Sequence, residues 1–66
     1  MTPEEIRSTL RQTAEDMGLS VFVLEKQSGV GKSTIDRYFY RGGGISIENL
    51  CALAQALGLE VSILGM

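Results

Sequence analysis

Residues 21–40 read VFVLEKQSGVGKSTIDRYFY, and two readings compete for them. In the first, Val21–Leu24 starts an apolar strand that runs into a glycine-rich loop, Ser28–Thr34. That is the outline of a phosphate-binding loop, whose pattern is Gly-x-x-x-x-Gly-Lys-Ser/Thr. With Gly31, Lys32 and Ser33 as its end, the first glycine falls on position 26, which is Lys26. The loop needs that glycine to turn its backbone amides inward around the phosphates. It also needs a parallel sheet with flanking helices, and residues 35–66 offer none.

In the second reading, Val21–Ser28 is a short helix with Ser20 as its N-cap. Ile35, Tyr38 and Phe39 then fall at i, i+3 and i+4, the apolar face of another helix from about Lys32 to Tyr40. Two helices joined at a steep angle need a turn residue that tolerates positive φ, and Gly29 supplies it. Val30 is placed to plug the space between the helices. Leu24 and Ile35 supply the packing across it. Tyr38 and Phe39 are expected in the core, and Val21 and Leu24 face inward, with Val23 a further candidate.

The flanks extend a helical pattern. Thr2, Pro3 and Glu5 form a Thr-x-x-Glu capping box with proline at the first helical position. Ile6, Leu10, Ala14 and Met17 recur on one face, and Gly18 stops a helix over roughly 3–17. Arg41–Gly44 (RGGG) ends the helix that precedes it. Ser46 caps another, whose buried stripe is expected to be Ile47, Leu50, Cys51, Ala54 and Leu57. Cys51 is read as a core or interface residue. The tail alternates Leu59, Val61 and Ile63 with Glu60, Ser62 and Leu64, a short strand signal over 59–64. A lone strand leaves backbone groups unpaired, so a partner strand from a second copy is the expectation. The sequence thus predicts one all-α domain over residues 1–66, of four to five helices with a short C-terminal β-strand.

Composition excludes several functions. With 66 residues and no His, the chain lacks the usual neutral-pH general base. One Cys and no His cannot make a zinc site of the finger type, and no metal, cofactor or enzymatic activity is expected. A lone Cys forms no internal disulfide, which favours a cytoplasmic location. No apolar run spans a bilayer, and the N-terminus lacks the basic start of a signal peptide. Net charge is −2, but its distribution is uneven. Lys26, Lys32, Arg37 and Arg41 face a single acid, Asp36, between residues 26 and 47. One segment is locally positive on an acidic body, as a polyanion partner requires.

The order Gly29, Val30, Ile35, Gly42, Ser46, Leu50 and Ala54-x-Ala56-Leu57 resembles the lambda-repressor/Cro type of helix-turn-helix domain, over residues 3 to about 60. Three features depart from its usual pattern, one of them the acidic overall balance. Glu25 stands where a small residue is common, and is expected to bend outward or to meet Lys26 or Arg37. RGGG replaces an Asn-Gly pair.

The resemblance implies that the second helix of the pair lies in a DNA major groove. Lys32, Ser33, Thr34 and Arg37 would then be base-contacting, with Lys32 and Arg37 donating to guanine. Ser20, Arg41, Gly43 and Ser46 would contact phosphate, helped by the Gly42–Gly44 amides and a helix N-terminus. Asp36 suits a phosphate-rich surface less. The implied function is sequence-specific binding of double-stranded DNA by a homodimeric transcriptional repressor on a pseudo-palindrome. The alternative on the same fold is a protein-binding antitoxin or adaptor module.

Overall fold

A computed structural model describes residues 2–59 of the chain. Four helices follow in order: α1 (Pro3–Asp16), α2 (Val21–Ser28), α3 (Lys32–Tyr40) and α4 (Ile47–Ala56). This is the expected all-α architecture. The expected strand over 59–64 falls, after Leu59, outside the described residues, and no strand occurs among the described ones.

Short-range chemistry sets the helix starts. Thr2 Oγ1 accepts from Glu5 N at 3.2 Å, and Thr2 N donates to Glu5 Oε1 at 3.1 Å, which completes the capping box. Ser20 Oγ accepts from Val23 N at 3.3 Å and Ser46 Oγ from Asn49 N at 3.1 Å. Each such cap contributes about 1 kcal/mol. The ends of α1 and α4 repeat one another: Leu19 N donates to Ala14 O, and Leu59 N to Ala54 O. These are the six-to-one bonds of a Schellman turn.

The turn between α2 and α3 carries the fold. Gly29 takes φ 77° and its N–H donates to Glu25 O. Val30, 2% exposed, then drops into the core. α2 packs on both α3 and α4, and α1 packs on α3. Leu24, Ile35 and Leu53 are the largest fully buried side chains, one from each of the last three helices. Leu10, Ala14, Tyr38, Phe39, Leu50, Ala54 and Leu57 complete the core around them. Tyr38 and Phe39 are therefore core residues as expected.

Three inward assignments are corrected. Met17 is exposed because it is the C-cap of α1, past the last turn that faces the core. Ile47 is exposed because it opens α4, whose buried stripe starts a turn later at Leu50. Val23 is also exposed, on the outer side of α2.

Burial pushes the Tyr38 phenol above its ordinary pKa of 10; Arg7 nearby opposes the shift and Glu4 adds to it. A raised folded-state pKa favours the protonated form in the fold. Stability is then intact below pH 10 and falls as pH rises through the folded-state value. Thermal melts between about pH 9 and 11.5 are expected to show this loss, and Tyr38→Phe to reduce it. Equal pH dependence in the two proteins would contradict this role for Tyr38.

Candidate nucleic-acid interface

The first turns of α2 and α3 share one surface. Val21 and Phe22 from α2 and Lys32, Ser33 and Asp36 from α3 line a single open groove. Lys32 Nζ lies 4.3 Å from the centre of the Phe22 ring, a cation–π contact that sets the direction of the lysine stem. Phe22 itself is 63% exposed, so the pair stands at the open mouth of α3. Sequence reasoning missed Phe22. Its signal was an aromatic at the second position of a helix whose one buried core residue is Leu24.

Lys32, Ser33 and Arg37 are exposed on α3, while Thr34 is half-buried. Three of the four expected base-contacting residues are thus exposed, from positions i, i+1 and i+5 of a nine-residue helix. Arg37 has no ion-pair partner among the described residues. Arg41 does: its Nε lies 3.2 Å from Asp36 Oδ2. Both partners are substantially exposed, so the pair is worth roughly 0–1 kcal/mol. Ser20 and Ser46 accept backbone N–H groups as N-caps, which leaves each hydroxyl proton free to donate.

Gly43 is differently placed than a phosphate contact through its amide requires. Its N–H donates to Arg37 O at 3.0 Å, and its carbonyl accepts from Arg7 Nη2 at 3.3 Å. The N–H it would offer an anion is engaged inside the protein.

Glu25 is exposed, the outward one of its two expected placements, and makes no ion pair with Lys26 or Arg37 among the described residues. Its Oε2 accepts from the backbone N–H of Lys32 at 2.9 Å. Gly31, the N-cap of α3, has no side chain to do this, so a carboxylate from α2 caps α3 across the turn. It also places negative charge at the positive end of the helix dipole. Glu25→Ala is expected to cost about 1 kcal/mol, with Glu25→Gln in between because an amide oxygen still accepts. Urea unfolding of the three proteins checks the order; no loss in Glu25→Ala would remove the cap from the account.

The two basic residues outside the positive segment serve the interior. Arg7 Nη1 pairs with Glu4 at 2.8 Å, and its guanidinium lies 5.1 Å from the Tyr38 ring centre. Arg11 Nη1 donates to Phe39 O at 3.5 Å, at the C-terminal end of α3. Their i, i+4 spacing beside Ile6 and Leu10 was the signal that they share a face close to the core. Among the described residues no group of His, Cys, Asp or Glu could hold a metal ion, and no helix is long and apolar enough to cross a membrane.

Comparison with known proteins agrees with this geometry. The family described as Helix-turn-helix matches residues 10–64. Over 62 residues the chain is 40% identical to a cyanate hydratase of Nostoc sp. (strain PCC 7120 / SAG 25.82 / UTEX 2576), an alignment covering 94% of this chain and 42% of that protein. The chain thus spans about two fifths of the length of this curated relative. No solved structure matches the chain. With its α2–turn–α3 unit and a family match across most of its length, the chain belongs to the helix-turn-helix family, in the lambda-repressor/Cro style of DNA-binding domain.

Proposed function

We propose that the chain binds double-stranded DNA sequence-specifically and acts as a transcriptional regulator of the repressor type. The observation that supports this reading is the exposure of Lys32, Ser33 and Arg37 on α3, the second helix of the pair, since the second helix of a helix-turn-helix is the one that reads the major groove. Ser20, Arg41 and Ser46 flank it as phosphate contacts. One reading helix contacts too few base pairs for a useful specificity ratio. A homodimer on a pseudo-palindrome doubles the contacts, and residues 59–64 are the segment we assign to the pairing. We assign the chain to the cytoplasm, and give it no catalytic role, metal or cofactor.

Titration of a labelled random-sequence duplex tests the DNA reading. Expected is weak binding at about 50 mM salt that falls steeply by 200 mM, as counterion release requires. Absence of binding at the lower salt counts against it. Sedimentation at tens of micromolar tests the dimer; a monomer would contradict it.

A second reading has one observation in its favour. The relative is named as an enzyme, a cyanate hydratase, and the match covers 42% of it. On this reading the same fold contacts protein and its acidic α1 faces the partner. Lys32→Ala and Arg37→Ala would then leave activity intact.

A further inference from the structure

Gly43 lies outside the reading helix, yet three contacts bind it to that helix and to α1. Gly42 turns the chain back with φ 71°, and Gly43 N then donates to Arg37 O, which already accepts from Arg41 N. Arg7, held by Glu4 and stacked on Tyr38, fixes the Gly43 carbonyl from the α1 side. The third contact is steric. A Cβ on Gly43 would stand 2.8 Å from Arg37 Cδ and 3.0 Å from Arg37 Nε, and closer still to Cγ. The arginine stem therefore lies directly on the bare Cα of the glycine. Gly43 does not have a positive φ, so alanine fits the backbone there and only the arginine must move.

We propose that Gly43 is a positioning residue for base recognition: its missing side chain is the seat that aims the Arg37 guanidinium. The proposal rests on the DNA reading above. It assigns specificity to a loop residue that touches no base. The chain of contacts runs from α1 through Arg7 to the Gly43 carbonyl, and from the Gly43 Cα to Arg37. Gly44 provides the internal control, because a Cβ there meets nothing within 4 Å.

Two measurements test it. In the free protein, side-chain NMR resonances of Arg37 are expected to shift in Gly43→Ala and to stay in place in Gly44→Ala. Unchanged Arg37 resonances in Gly43→Ala overturn the seat itself. Enrichment from a random duplex library then reads specificity. Wild type and Gly44→Ala are expected to select the same motif. Gly43→Ala and Arg37→Ala are expected to lose preference at the same base position, by roughly tenfold or more. The double variant is expected to lose no more than Arg37→Ala alone. A wild-type motif from folded Gly43→Ala, or a loss at another position, overturns the positioning role. If wild type selects no motif, the DNA reading fails and the specificity role with it, while the resonances still report the seat. Melting of each variant by circular dichroism separates these outcomes from unfolding.

Discussion

Ile35→Ala is expected to remove a large fraction of the stability of the domain. Ile35 is 0% exposed and belongs to α3, which packs on α1 and α2. Truncating a buried isoleucine costs about 2–5 kcal/mol, partly from lost transfer energy and partly from the cavity. A chain of this size holds roughly 3–10 kcal/mol in total. The same substitution at Ile47, 63% exposed, is expected to stay within about 0.5 kcal/mol of wild type. The two variants delete the same atoms, so the difference isolates burial. Urea melts decide it: equal midpoints for the two variants would contradict the core described here.

Arg37→Ala is expected to remove most of the sequence preference without unfolding the protein. Arg37 is exposed and free of ion pairs among the described residues, so the free domain loses little with it. On DNA a bidentate arginine–guanine contact discriminates by about 1–3 kcal/mol, and a dimer makes it twice. Roughly 2–6 kcal/mol of specificity should go. Lys32→Ala is expected to do less and to act differently. Its ammonium is shared with the Phe22 ring, and a lysine without a fork of donors acts mainly as a point charge. Its loss should weaken binding to all duplexes alike and reduce the salt dependence. Affinities of wild type and both variants for matched and mismatched duplexes check the distinction. Identical losses on both kinds of duplex for Arg37→Ala would contradict base reading by this residue.

What the sequence carried plainly was local. Thr2, Ser20 and Ser46 were legible as caps because a cap and its partner stand three residues apart. Gly29 and Val30 were legible because a steep turn demands a positive φ and then a plug. Lys26, standing where a phosphate loop needs glycine, ruled out the phosphate-loop reading of Ser28–Thr34. The pattern fixed the phase of each buried face but not its ends, so Met17 and Ile47 were assigned inward although each sits at a helix terminus. The contacts that shape the interface were not legible because they join distant positions. Glu25 reaches Lys32 across the turn, Arg7 reaches Gly43 across 36 residues, and Arg37 lies on Gly43 through a loop whose path the sequence does not specify. Gly43 read as a phosphate donor when seen only as a glycine in a loop; in the fold its amide and carbonyl are already engaged.

The central claim is that α3 reads base pairs in duplex DNA as one half of a symmetric pair. Selection of binding sites from random duplex DNA at low salt tests it most directly. The account predicts a motif of two inverted half-sites with centres about 34 Å apart, one helical turn. Selection of no motif under those conditions would contradict it.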